Sequence, residues 1–181
     1  MQKKFLAILT FCALALSFCG LTSCMDDEDP TWTKYKDWRE YNQSWLMEQT
    51  ARSNADGTPY YARCIMPTDP QAYVLMHIIG EEHTQNLKPQ FTSSTKVNYT
   101  LRLANDSIVD SGANFTSQLS STGLITGWSL AVMQLHVGDS AQFVIPYNIA
   151  YGTSESSAIK PYSNLQFNIR LVDIVNYETR P

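Results

Sequence analysis

Cysteine is scarce, basic residues are nowhere clustered, and the one long apolar run in these 181 residues, positions 5–18, is too short to span a bilayer. Each shortage excludes something. Of the four cysteines, Cys12 falls in that run, Cys19 directly follows it, and Cys24 closes the segment after it. Cys64 is left as the sole ordinary thiol, so no intramolecular disulfide is expected. It sits in YYARCIMP with no motif around it, and reads as a small buried hydrophobe rather than a nucleophile. With 17% charged residues and a formal net charge of −4, the chain lacks the basic surface that binding of nucleic acid needs. There is no G-x-S-x-G elbow, H-E-x-x-H pair, phosphate-cradling glycine loop or C-x-x-C. The three histidines, His77, His83 and His136, are scattered over strand, loop and helix end, so no metal and no cofactor is expected.

What is there begins with a leader. Lys3 and Lys4 precede the apolar run, and Leu21-Thr22-Ser23-Cys24 ends it in the manner of a bacterial lipobox, whose cysteine carries lipid and becomes the first mature residue. An ordinary secretion signal with an accidental cysteine, or a signal anchor, is the alternative. Cleavage before Cys24 removes two of the 13 basic residues, leaving 11 against 17 acidic ones and a formal charge of −6. The following Met25-Asp26-Asp27-Glu28-Asp29-Pro30 is either a solvated spacer or an acidic tether like the surface-export signals of some Gram-negative lipoproteins. Anionic headgroups would keep it extended. The expected organisation is a signal peptide at 1–23, a tether at 24–32, an N-terminal helical extension and linker at 33–71, and one folded domain at 72–177. The expected location is the bacterial cell envelope, lipid-anchored at Cys24, at the outer membrane on its periplasmic or outward face.

Periodicity sorts the remainder. Residues 33–52 carry Trp38, Tyr41, Trp45 and Met47 or Gln49 at three- and four-residue spacing and predict a helix with an aromatic packing face. That face fits the domain below, a second copy or a substrate protein. Aromatic and β-branched residues predict strands at 60–66, 73–79, 95–103, 107–109, 140–146 and 164–174. In the last, Leu165, Phe167, Ile169 and Leu171 alternate with polar residues, so one face is buried. One short helix, 127–135, presents Trp128, Val132 and Leu135 on a single side and is closed by Gly138. Many strands, one helix and no βαβ alternation predict an α+β fold, a strongly twisted antiparallel sheet wrapped around that helix.

The block 123–152, GLITGWSLAVMQLHVGDSAQFVIPYNIAYG, places Trp128 and Tyr151 where an apolar cleft would receive a small ring. Around it lie further strings: Val97-Asn98-Tyr99-Thr100-Leu101-Arg102-Leu103, Val109-Asp110-Ser111, Leu124-Ile125-Thr126-Gly127-Trp128, Val137-Gly138-Asp139, Ile145-Pro146 through Ala150-Tyr151-Gly152, and Ile159-Lys160-Pro161-Tyr162-Ser163-Asn164-Leu165-Gln166-Phe167. In order and spacing these resemble the FK506-binding-protein (FKBP) family of peptidyl-prolyl cis-trans isomerases, over roughly residues 73–175. The resemblance implies a role for each matched position. Asp110, Ile125, Trp128 and Tyr151 would act on the peptide: Ile125 through its backbone N–H, Trp128 as the floor under the proline ring, and Tyr151 through its hydroxyl. Tyr99, Val109, Phe115, Leu124, Ile159 and Phe167 would line the substrate pocket.

It further implies proline-containing polypeptides as partners and a macrolide of the FK506 type as a ligand, with protein folding at the envelope as the task. A non-catalytic chaperone or peptide-binding module on the same fold is the alternative. Two departures stand out. Val109 replaces the family's phenylalanine, which widens the pocket. Leu101 replaces a glycine, and Asn105-Asp106-Ser107 replaces a D-G turn, although Asn and Asp both tolerate positive φ. Oligomeric state is left open by the sequence.

Overall fold

The computed structural model describes residues 30–156 and 158–175. In chain order they form α1 (Pro30–Lys34), α2 (Lys36–Ala51), β1 (Ala62–Met66), β2 (Asp69–Ile78), β3 (Ser94–Leu103), β4 (Ile108–Gln118), α3 (Thr126–Val132), β5 (Ser140–Ile145), a 3-10 turn (Tyr147–Ile149) and β6 (Leu165–Val175). The lipobox, Cys24 and most of the acidic tether lie outside the described residues. Among the described residues no helix is long and apolar enough to cross a membrane.

The six strands make one sheet in the order β1-β2-β5-β6-β3-β4, with every neighbouring pair antiparallel. β6 lies at its centre because its alternation works there: Leu165, Phe167, Ile169 and Leu171 are buried while Asn168 and Arg170 face water. β5 packs Ala141, Phe143 and Ile145 inward beside them, and β3 adds Val97, Leu101 and Leu103. Onto this face α3 sets Trp128, Leu130, Ala131 and Val132, with Leu135 following in the next turn, all buried. A fully buried Leu or Phe contributes about 1.5–3 kcal/mol of transfer free energy, so this helix–sheet core dominates stability. Gly127 permits the contact. A Cβ there would meet Ile145 Cγ2 at 2.2 Å and the Ile149 carbonyl at 3.1 Å. Gly138 follows α3 at φ +100°, in the left-handed region that glycine occupies without strain.

The expected α+β class holds, and several boundaries move. β1 is the outer strand of the same sheet, and the expected division at 71/72 falls inside β2, so the folded unit begins earlier than the sequence pattern indicates. Pro70 is tolerated because Asp69 already pairs with Met66 and the strand runs on past the proline at the sheet's end. The strand expected at 107–109 runs on to Gln118. Its burial pattern is almost wholly exposed, because an edge strand with a wet face carries no hydrophobic period. Asp106 takes φ +63° in the turn from β3 to β4, and the Leu103 and Ser107 backbones close that turn. The N-terminal helix packs on the domain, which was one of three open alternatives. Its pattern differs from the expected stripe: Trp38 and Trp45 are half-buried, Met47 is exposed, and the residue buried in α2 is Asn42.

Candidate functional site

Strands β3, β4 and β6, helix α3 and two loops converge on a cavity of about 250 Å³ at the N-terminal end of α3. It is lined by Tyr99 and Leu101 of β3, Asp110 and Phe115 of β4, Gly123, Leu124 and Ile125 before the helix, Trp128, Tyr151 and Phe167. Strand register builds the first wall. Tyr99 pairs with Gly112 and Leu101 with Asp110, and β-bulges on either side of this stretch turn both side chains toward the helix end. Gly112 is needed opposite the tyrosine, since a Cβ there would lie 2.6 Å from Tyr99 Cε1.

Four rings form a box around the floor. Trp128 meets Tyr99 edge-on at 5.1 Å, Phe167 at 5.3 Å and Phe115 at 6.0 Å, and Tyr99 meets Phe115 at 5.6 Å. Such edge-to-face pairs each add about 0.5–1.5 kcal/mol beyond area burial and fix the rings in place. Trp128 is buried, and its Nε1–H has no acceptor among the described residues.

The rim is polar. The Tyr99 hydroxyl donates to Asp110 Oδ2 at 2.8 Å, and Asp110 Oδ1 accepts the Ser111 N–H at 2.8 Å. Burial, then the hydrogen bond to the carboxylate, pushes the Tyr99 phenol up to about 12. Tyr151 is 44% exposed. Burial of part of its ring, and the Asp110 charge, also raise its pKa. Both phenols therefore remain neutral donors across physiological pH.

The cavity thus brings together eight of the residues expected from sequence: Asp110, Ile125, Trp128, Tyr151, Tyr99, Phe115, Leu124 and Phe167. Ile125 caps α3 with extended backbone, and its carbonyl accepts the Trp128 N–H at 3.0 Å. Val109 and Ile159 are not among the lining residues. Both pack in or against the core instead, Ile159 buried and Val109 partly so. Two lining residues were not anticipated. Leu101 shares a strand face with Tyr99, so the two-residue period pointed to it. Gly123 has no side chain to signal its place.

The histidines prove less scattered than the sequence implies. Asp139, fully buried, accepts from the His83 N–H at 2.7 Å and His83 Nδ1 at 3.0 Å through one oxygen. Its other oxygen accepts from the His136 N–H at 2.8 Å and His136 Nδ1 at 3.3 Å. Burial opposes the charge, but these four donors outweigh it and hold the carboxyl below its usual range. Glu82, His136 and Asp139 bring ligand atoms within 4.8 Å of one another, the spacing of a small cation site. The hydrogen bonds already satisfy Asp139, however, and they pin the segment after β2 to the turn before β5. His77 stands apart, stacked on Tyr60 at 3.9 Å.

An antiparallel sheet curled on a short helix, with an aromatic box at that helix's N-terminus, defines a small α+β domain built around a ring-sized cleft. Residues 85–172, just under half of the chain, match the family model of FKBP-type peptidyl-prolyl cis-trans isomerases. The chain is 33% identical over 89 residues to the macrophage infectivity potentiator of Trypanosoma cruzi, covering 48% of this chain and 45% of that protein. It is 31% identical over 90 residues to an FKBP-type 22 kDa peptidyl-prolyl cis-trans isomerase of Escherichia coli K12, covering 48% and 44%. The chain thus spans less than half the length of these relatives. Among solved structures, a peptidyl-prolyl cis-trans isomerase from Pseudomonas syringae superposes with a TM-score of 0.63 at 22% identity, covering 77% of this chain and 95% of that one. FkpA from Escherichia coli superposes at 0.62 and 20% identity, covering 78% and 63%. These two likenesses bear on the fold.

Proposed function

We propose that the chain catalyses cis-trans isomerisation of X–Pro bonds in exported polypeptides. The observation that carries this reading is the four-ring box closed by a buried tryptophan and rimmed by neutral phenols, at the position where the family keeps its cleft. Rotation about an X–Pro bond faces a barrier of about 18–20 kcal/mol, because amide resonance must be broken. No nucleophile, general base or metal is required. The site needs only to bind the twisted amide more tightly than either planar form.

Trp128, Phe167, Tyr99 and Phe115 would enclose the proline ring and exclude water from the turning amide. The Ile125 backbone N–H and the Tyr151 hydroxyl would hold the peptide on either side of it. The unpaired Trp128 Nε1–H is a donor that a bound carbonyl would satisfy, relieving a buried-donor penalty of about 1–3 kcal/mol. Asp110 would keep the Tyr99 ring in register. With Val109 withdrawn from the lining, the cleft's outer wall is open, which suits varied protein clients and also leaves room for a macrolide of the FK506 type. The same openness favours the second reading, a non-catalytic peptide-binding chaperone.

In the proposed setting the protein is held by lipid on Cys24 at the bacterial outer membrane and assists the folding of envelope proteins. The lipobox string and acidic tether support this placement. The purified chain should accelerate cis-to-trans conversion of an Ala-Leu-Pro-Phe peptide, and Tyr151→Phe should slow it. Suppression of aggregation with no acceleration would favour the chaperone. Radiolabelled fatty acid incorporated by wild type but not by Cys24→Ala would support the anchor, and equal incorporation by both would refute it.

A further inference from the structure

The loop before β6, described over residues 151–156 and 158–164, leads away from the cleft at Tyr151, and the N-terminal helices grip it at several points. Near its start, Glu155 pairs with Lys34 Nζ at 3.1 Å and accepts a hydrogen bond from the Tyr35 hydroxyl. Further along, Tyr162 takes φ +63°, a strained backbone for a bulky residue, which persists only where its surroundings hold it. Those surroundings are α1 and α2. The Trp32 ring meets Tyr162 edge-on at 5.8 Å, and Thr31 Oγ1 lies 3.0 Å from its hydroxyl. The Arg39 guanidinium sits 3.1 Å from the Trp32 ring centre, bracing it. Trp38 Nε1–H donates to Ser163 Oγ at 3.0 Å.

The decisive contact is a buried pair of asparagines. The Asn164 N–H donates to Asn42 Oδ1 at 2.8 Å, and Asn164 Nδ2 donates to the Asn42 carbonyl at 2.7 Å. Asn164 Oδ1 in turn accepts the Tyr147 N–H at 3.0 Å. The Tyr147 carbonyl then accepts from the N–H groups of Ala150 at 3.0 Å and Gly152 at 2.8 Å, the two residues that flank Tyr151. The Gly152 carbonyl accepts the Tyr162 N–H at 2.9 Å, closing the circuit. A continuous path of hydrogen bonds therefore runs from α2 through Asn42 and Asn164 to both neighbours of Tyr151.

A surface helix attached only for stability buries an apolar stripe. Here the residue of α2 that is buried is Asn42, 1% exposed, and it is spent on a directional network. Buried polar networks specify one geometry when fully satisfied. We propose that Asn42 is a positioning residue for Tyr151, and that α1 and α2 form a strap that holds the cleft's flanking loop in its peptide-binding conformation. The helical extension is then part of the peptide-binding unit. Its effect on turnover rests on the isomerase reading above; its effect on the loop and on peptide affinity does not.

Two variants of the full chain test this. Asn42→Leu keeps the branched shape and removes the Oδ1 acceptor of the Asn164 N–H, leaving only the backbone carbonyl of residue 42 to hold Asn164 Nδ2. Lys34→Ala with Tyr35→Phe cuts the Glu155 grip at the exposed rim and spares folding. Glu48→Ala, exposed on α2, is the control. Three properties are read: amide hydrogen exchange of residues 152–156 and 158–164, affinity for a proline-containing peptide by calorimetry, and kcat and KM separately. Both variants should lose protection in the loop and bind peptide about three- to tenfold more weakly, the effect expected from a loosened but intact site. The loss should fall on KM in the rim variant, whose melting temperature should stay close to wild type.

Unchanged loop exchange and unchanged peptide affinity in the rim variant, with Asn42→Leu merely less stable, would reduce the helices to a stabilising cover and overturn the proposal. Should wild type show no turnover, the isomerase reading fails by itself. Exchange and affinity still decide the strap, in either direction.

Discussion

The two sides of the cleft are built by opposite means. The Trp128 side is apolar: rings from α3, β3, β4 and β6 lock edge-to-face over the buried hydrophobic core. The Tyr151 side is polar: an exposed ring on a loop, located by hydrogen bonds that lead back to Asn42 on α2. Apolar packing is non-directional and tolerates small repacking, whereas a buried polar network fails abruptly when one member is lost. Damage to the first side should therefore scale with the volume removed. Damage to the second should depend on which group is left unpaired.

The largest effect expected is that of Trp128→Ala. Removing this buried ring should destabilise the domain by about 3–5 kcal/mol, read by urea unfolding. The cleft floor goes with it, so peptide binding should be lost; a change under about 1 kcal/mol would show that the ring is not core. Next comes Asn164→Ala, which strands the Tyr147 N–H and takes the Asn164 Nδ2 donor from the Asn42 carbonyl, while the backbone N–H of residue 164 still reaches Asn42 Oδ1. Each buried group left unpaired costs about 1–3 kcal/mol, so the loss should exceed that of any exposed substitution on α2. If Asn164→Ala matches Glu48→Ala in urea midpoint, the polar side carries no network.

The smaller effects sharpen the contrast through pH. Asp139 has its folded pKa below the unfolded value, so its stabilisation is present above the ordinary carboxylate range and lost as pH falls through the folded value. Asp139→Asn should flatten the acid limb of a stability–pH curve, and an unaltered limb would assign acid sensitivity elsewhere. Tyr99 shows the reverse sign. Its folded pKa of about 12 exceeds the unfolded value near 10, so its contribution is complete below pH 10 and fades between there and 12. Tyr99→Phe should remove that alkaline loss while costing the Asp110 hydrogen bond, about 0.5–1.5 kcal/mol at neutral pH.

The same contrast accounts for what the sequence made legible. The apolar side announces itself: Trp128, Val132 and Leu135 keep helical spacing, and Leu165 to Leu171 alternate, so helix, central strand and floor could all be placed. The β4 edge had no such period, because only its few cleft-facing residues need a fixed identity. Val109 and Ile159 were assigned to the lining by family position, yet their side chains turn into the core, which no spacing rule reports. Asn42 was invisible beside Trp38, Tyr41 and Trp45. An asparagine inside a helix reads as a solvated residue until the partner that satisfies it, Asn164, is brought 122 positions along the chain to meet it.

The activity proposed for this ring box is to bind and turn X–Pro bonds. Protease-coupled isomerisation of an Ala-Leu-Pro-Phe peptide by the purified chain tests it most directly. Acceleration should be proportional to protein concentration, reduced at least about tenfold in Trp128→Ala and less severely in Tyr151→Phe. A wild-type rate equal to the uncatalysed rate at every concentration would contradict it.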